Sequence, residues 1–197
     1  GNHYTFNDVI LEDYLKGVVP RESPASWGAA ANGAGMNALR AQAVAARSYA
    51  VASTPRASGA KICDTSSCQV YGGAAVRSSL AAPINYLESR LSNQAIADTA
   101  SLVRRYGDGN VANTSFASSN GGRSVSNGLF PAVDDPGDAV APNPHNSWSL
   151  TMSASRITSS WPQIGVLLDV TVNSRTGGGV WDGWINQLTL RGTLGSI

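Results

Sequence analysis

The chain has 197 residues, with 14 Lys and Arg against 13 Asp and Glu, a formal net charge of +1 and only 14% charged residues. That length is enough for one domain with a real hydrophobic core. The near-neutral balance excludes the basic footprint of a nucleic-acid binder, and no apolar run approaches the ~20 residues needed to cross a bilayer.

The sequence begins at "GNHYTF", without Met and without a signal peptide, as expected of a chain whose targeting segment has been removed. Residues 5–20, "TFNDVILEDYLKGVVP", open with a strand-like piece. A short helix follows from Leu11, with Leu11, Tyr14 and Leu15 on one face. Pro20 is expected to stop it. Next, in "GVVPRESPASW", Glu22 lies between Pro20 and Pro24 with Trp27 close behind. This reads as a rigid turn holding a lone carboxylate beside an aromatic ring. Residues 28–37 are small and read as a surface loop.

The clearest element is "NALRAQAVAARSYAVAST" (37–54), with Asn37 as N-cap and an end before Pro55. It is so rich in Ala that neighbouring backbone can approach it closely, so it is expected to be the buried central helix. Arg40, Ala43 and Arg47 fall at i, i+3 and i+7 and share one face. These arginines are either solvated and paired with surface carboxylates or buried with partners that a functional site supplies.

Cys63 and Cys68, in "ICDTSSCQVY", have three readings: a local disulfide in an oxidising compartment, half of a zinc site, or two free buried thiols. The only histidines, His3 and His145, lie far off in sequence, so a metal site lacks obvious ligands. "QVYGG" (69–73) looks like a strand end entering a turn. Around residues 90–106 a helical piece gives way to a strand and a Gly-Asp-Gly turn. "NTSFASSNGGRSVS" (113–126) alternates toward a strand and breaks at Gly121 and Gly122. The Pro- and Asp-rich stretch 131–149 is expected to be a long loop. The remainder shows two strand-like runs around a Gly-rich turn, a hairpin pattern.

The chain has no G-x-S-x-G elbow, no phosphate-binding glycine pattern and no H-E-x-x-H motif. Carboxylates remain. Of the three glutamates, Glu12 and Glu88 read as ordinary helix positions, and Glu22 is the odd one. Burial beside Trp27 would favour its protonated form, and a protonated carboxyl can donate to a glycosidic oxygen. An exposed turn residue is the plainer alternative.

Four blocks in order, "LEDYLKGVVPRESPASW", "ALRAQAVAARSYA", "CDTSSCQVYGG" and "FASSNGGRS", closely resemble the stage II sporulation protein D family, which includes amidase-enhancer proteins. The resemblance implies a secreted or cell-envelope protein acting on peptidoglycan. Sporulation members are lytic transglycosylases that cut between N-acetylmuramic acid and N-acetylglucosamine in strands stripped of stem peptides. The family's catalytic glutamate maps onto Glu22. Its lysine in "ALKAQ" is here Arg40, which keeps charge but changes hydrogen-bond geometry. Its arginine in "AVAAR" maps onto Arg47, its polar pair in "QVY" onto Gln69 and Tyr71, and its serine–glycine turn onto Ser118, Ser119, Gly121 and Gly122. These eight residues are the implied substrate contacts. Some relatives hold zinc through the cysteine block with a preceding histidine. Here "SGAKI" carries none, which favours a Cys63–Cys68 disulfide and no metal.

The sequence is therefore expected to fold as one α+β domain over 1–197, with a central Ala-rich helix, antiparallel strands and a long substrate cleft. Its expected activity is cofactor-free lytic transglycosylation of peptidoglycan glycan strands. Glu22 would serve as acid, then as base, leaving a 1,6-anhydro end. The alternative is a non-catalytic module that binds wall glycan or enhances a partner amidase, and no membrane span is expected. Arg40 and Arg47 are expected to face the cleft, with Arg47 reading the bare lactyl carboxylate of muramic acid.

Overall fold

The computed structural model describes residues 5–56, 58–140 and 143–197. The chain, expected from its sequence to be one domain, gathers into two compact units, Gly1–Phe116 and Ala117–Ile197. His3, considered above as a ligand, lies outside the described residues.

In the first unit, helix α1 (Leu11–Glu22) is followed by two 3-10 turns, Ala25–Ala29 and Ala31–Gly33, and then helix α2 (Met36–Ala52). Two short antiparallel strands, β1 (Ala75–Val76) and β2 (Asn85–Tyr86), precede helix α3 (Arg90–Asp98). The amphipathic pattern places Tyr14, Leu15, Val18 and Val19 of α1 against Ala43, Ala46 and Ala50 of α2 and Ile96 of α3, with Leu11 at the margin. Helix α2 packs against α1, α3 and the first 3-10 turn, so it is the central Ala-rich helix the composition suggested. Its small side chains let three elements approach at once.

Helix α1 does not stop at Pro20. It runs two residues further, with Pro20 inside it, and the Ser23 N–H closes on the Val19 carbonyl at 3.0 Å. A proline in a helix interior removes one backbone bond and costs ~3 kcal/mol. Here it falls in the last turn, and the burial of Leu15, Val18 and Val19, all with no exposed surface, carries the helix through it. Residues 5–10, 69–74 and 113–126 form no strand. The Gly-Asp-Gly turn at 107–109 is closed by an isolated bridge between Arg105 and Val111 and by backbone bonds from Tyr106 to Asn110 and from Gly109 to Tyr106.

The second unit holds helix α4 (Ala154–Ser160), N-capped by the Ser153 side chain, and a 3-10 turn, Pro162–Ile164. The expected hairpin is present: β3 (Leu167–Arg175) pairs antiparallel with β4 (Ile185–Gly192), and β5 (Gly195–Ser196) adds to β4. Val170 faces Leu190 and Val172 faces Leu188 across the pair. With helices and only antiparallel sheets among the described residues, the fold class is α+β.

Candidate functional site

Glu22 is the last residue of α1, and Ser23 turns the chain into an extended conformation. The Glu22 Oε1 accepts a 2.7 Å hydrogen bond from the Val70 N–H, a contact across 48 residues of sequence. Its other oxygen, Oε2, has no hydrogen-bond partner among the described residues. The burial expected beside Trp27 is partial: Glu22 is half-buried and Trp27 is 49% exposed. The carboxylate is thus fixed by a backbone N–H rather than by a proline-bounded turn and a ring.

The segment that carries Val70 is itself held at several points. Cys63 and Cys68 form a disulfide with Cα atoms 5.7 Å apart, so neither sulfur is a free thiolate for a metal. Among the described residues, no group of three or more His, Cys, Asp or Glu side chains is placed to hold a metal ion. Gln69 is fully buried, accepts from the Tyr14 hydroxyl at 3.0 Å and donates to the Ala46 carbonyl at 3.3 Å. The Tyr71 ring stacks on Tyr14 with centroids 5.1 Å apart, and its hydroxyl accepts from Asn7. The Gly72 N–H bonds the Gly17 carbonyl, and a side chain at Gly17 would meet the Tyr71 ring at 2.7 Å. Burial, and after it the nearby Glu22 carboxylate, pushes the Tyr14 phenol well above its ordinary range and keeps it a neutral donor. A cavity of about 140 Å³ lined by Tyr49, Cys68, Ser115 and Phe116 adjoins this segment at Cys68.

The arginines sit differently from expectation. Arg40 and Arg47 do share the face of α2 that meets α3. Arg47, however, is 1% exposed, and its guanidinium is fully engaged. Nε and Nη2 donate to the two carboxylate oxygens of Glu12 at 2.8 Å each, and further bonds reach the Leu102 and Ile96 carbonyls. Arg47 therefore locks α1, α2 and α3 together and has no face to offer a ligand, which corrects its expected role as reader of a lactyl carboxylate. The Arg47 guanidinium in turn holds the Glu12 carboxyl below the usual carboxylate range, against a smaller opposing effect of burial. Arg40 binds Asp98 through Nε and Nη2 at 2.8 and 2.6 Å, and Asn37 at 3.0 Å. Gln69 and Tyr71 likewise serve packing: Gln69 has no exposed surface, so it cannot contact a sugar as expected.

A family model described as stage II sporulation protein (SpoIID) matches residues 1–106, more than half of the chain. The chain belongs to the SpoIID family. It is also 32% identical over 146 residues to a Bacillus subtilis (strain 168) protein named amidase enhancer. That alignment covers 73% of this chain and 17% of the longer relative, so the chain spans less than a fifth of that protein. No solved structure matches it.

The SpoIID match ends before Ser118, Ser119, Gly121 and Gly122, which belong to the second unit. There the turn wraps a residue that sequence reading missed, the buried Asp138. Asp138 accepts from Ser119 Oγ at 2.8 Å, the Gly122 N–H at 3.0 Å, Asn146 at 2.9 Å and Asn143 at 3.0 Å. Burial alone would raise its carboxyl, but these donors outweigh it and hold the group below its ordinary range. Gly121 and Gly122 have φ of 75° and 90°, a conformation that favours glycine, and Gly122 packs on Gly179. Ser118 is exposed. The long loop 131–149 is thus anchored on Asp138, apart from Ala141 and Pro142, which lie outside the described residues. Nothing local in "DDPGDAVAPNPHN" distinguishes this aspartate from its neighbours.

Proposed function

We propose that this SpoIID-family chain is a lytic transglycosylase that cleaves the bond between N-acetylmuramic acid and N-acetylglucosamine in peptidoglycan glycan strands. The observation that carries the reading is Glu22: one carboxylate oxygen is pinned by the Val70 N–H, and the other has no hydrogen-bond partner among the described residues. A single carboxyl group held in one place can act twice. It first donates its proton to the bridging oxygen while positive charge develops at C1 of the muramyl sugar. The resulting carboxylate then takes the proton of that sugar's C6 hydroxyl, whose oxygen attacks C1. The products are a free hydroxyl on the leaving sugar and a 1,6-anhydro ring, with no water consumed. Pre-organisation matters for such a residue, since misplacement by about 1 Å can cost on the order of 100-fold. The long cleft that would seat the strand and a secreted or envelope location belong to the same reading. The disulfide supports the location, because such bonds persist in oxidising compartments.

A second reading is a non-catalytic glycan-binding or amidase-enhancing module. It is favoured by the name of the Bacillus subtilis relative, amidase enhancer, and by the burial of Gln69 and Arg47, which removes two of the implied sugar contacts. Mass spectrometry of denuded glycan incubated with the protein separates the two. Anhydro-muramyl ends are expected with the wild type. They should fall by at least 100-fold with Glu22→Gln, which keeps the shape and the Val70 contact but cannot exchange a proton. Normal turnover by Glu22→Gln would remove Glu22 from the chemistry.

A further inference from the structure

The two sulfurs of the Cys63–Cys68 bridge have unequal surroundings. Both cysteines are only half-buried, and the residues between them are exposed. Cys68 Sγ accepts from the Arg56 guanidinium, through Nη1 at 3.3 Å, and from the Cys63 N–H at 3.2 Å. Among the described residues Cys63 Sγ meets a single donor, the Thr65 hydroxyl, at 3.5 Å. A neutral disulfide sulfur is a weak acceptor, so a guanidinium and an amide N–H gain little from it. They gain far more from a thiolate, whose negative charge a neighbouring cation stabilises. The two donors thus stand where charge appears if the bond opens with Cys68 as the leaving group.

We propose that Cys63–Cys68 is a site of thiol–disulfide exchange with a dithiol, and that this exchange switches the Glu22 site. A thiolate of the dithiol attacks Cys63 Sγ. A mixed disulfide forms there, the Cys63–Cys68 bond breaks, and Cys68 leaves with the electron pair as a thiolate beside Arg56. The second sulfur of the dithiol, as thiolate, attacks its own partner in the mixed disulfide and releases Cys63. The protein has then gained two electrons and two protons, and the dithiol has become a disulfide. Such exchange is faster when the leaving thiolate is more stable. The effect reaches Glu22 through the chain. Cys68 directly precedes Gln69 and Val70, and Val70 holds Glu22. The Cys68 N–H bonds the Thr65 carbonyl at 2.9 Å, and the Tyr71 N–H bonds the Asp64 carbonyl at 3.5 Å, so the bridged loop and the 69–71 segment move together. Once the bond is gone the sulfurs separate to ordinary contact, and Cys68 carries the Val70 N–H with it. The consequence for cleavage rests on reading Glu22 as the acid of a glycan-cleaving site. On that reading the site is assembled in an oxidising compartment and impaired in a reducing one.

Arg56 is exposed, so Arg56→Gln removes the charge without touching the core. Reduction by dithiothreitol should be slower by roughly three- to tenfold in that variant, with Arg56→Lys in between. Glutathione, a monothiol, should leave its adduct on Cys63, trapped at low pH and located by peptide mass, with Cys68 free. An unchanged rate in Arg56→Gln, or an adduct on Cys68, overturns the exchange site. The switch is read separately. On reduction of the wild type, amide exchange at Val70 should rise and cleavage of denuded glycan should fall about tenfold, as expected of a displaced acid. Both should return when oxidised glutathione restores the bond. Cleavage that persists at the full rate after reduction, or a Val70 amide that stays protected, overturns the switch. If neither the oxidised nor the reduced protein leaves anhydro ends, the acid role of Glu22 falls, while the adduct position, the Arg56 dependence and the Val70 amide still decide the exchange site.

Discussion

At the scale of single residues, the Glu12–Arg47 pair is asymmetric in a way that sets its pH dependence. Arg47 is 1% exposed and Glu12 is 36% exposed. Replacing Glu12 by Gln leaves a buried guanidinium facing a neutral amide. The cost should be about 2 kcal/mol, below the ~3–5 of a fully enclosed pair because water reaches the Glu12 side. Since Arg47 holds the Glu12 carboxyl below its unfolded value of 4.5, the pair contributes fully above that value. Its contribution is lost as pH falls through the lower, folded value. Urea unfolding of wild type and Glu12→Gln should therefore differ most near neutral pH and converge in acid; a gap that stays constant down to pH 2 would show the pair to be irrelevant. The sequence placed Arg40 and Arg47 on one face of their helix, and that is where they lie, because helical spacing is a local property. It could not say what they meet. Glu12 is 35 residues away on another helix, and the Val70 N–H that holds Glu22 is 48 residues away. Pairings of that span depend on how helices pack, which spacing does not encode.

At the scale of elements, α1 connects the two carboxylates, with Glu12 in its first turn and Glu22 at its end. Its register against residues 71–73 rests on Gly17, where a Cβ would come within 2.7 Å of the Tyr71 ring and 3.2 Å of the Gly73 nitrogen. The ring is stacked on Tyr14 and cannot swing away freely. Gly17→Ala should raise helix propensity yet lower stability by ~1–3 kcal/mol through overpacking. It should also reduce cleavage, since the segment that shifts carries Val70. Thermal unfolding and turnover together test this; a variant as stable and active as wild type would mean the segment yields easily. Helices α1 and α2 were legible because their apolar periodicity and composition are strong. The end of α1 was misread because Pro20 was judged by its local penalty, without the buried side chains beside it. The strands expected near residues 5–10, 69–73 and 113–126 are absent. Phe6, Ile10, Phe116 and Val125 stay largely exposed there, and the only strand-like pairing of these segments among the described residues is the isolated bridge between Arg123 and Asp134.

At the scale of the whole chain, the SpoIID match and the disulfide both fall in Gly1–Phe116, whereas Ala117–Ile197 contains no cysteine. Reduction should therefore act on one unit only. Closing so short a loop contributes less than the ~3 kcal/mol of a 15-residue loop, so the fold should survive. Amide exchange should rise at Val70 and its neighbours while the amides of β3 and β4 keep their protection. Equal loosening of both units on reduction would contradict this division. The hairpin in the second unit was readable from its two apolar runs and glycine-rich turn, whereas the Asp138 hub was not, since its donors come from two separate stretches of chain, 119–122 and 143–146.

The disulfide closes a loop whose middle residues, 64–67, are all exposed. Exposed polar loop tips are preferred points of proteolytic attack. A protease cutting there would sever the main chain between α2 and Val70 without releasing a fragment, because the sulfur bridge would still join the two ends. The nicked protein would gain the mass of one water molecule and migrate as a single species until a thiol was added, when it would fall into two pieces. Intact mobility of material recovered from a protease-rich wall environment is thus no guarantee of an intact backbone beside Glu22.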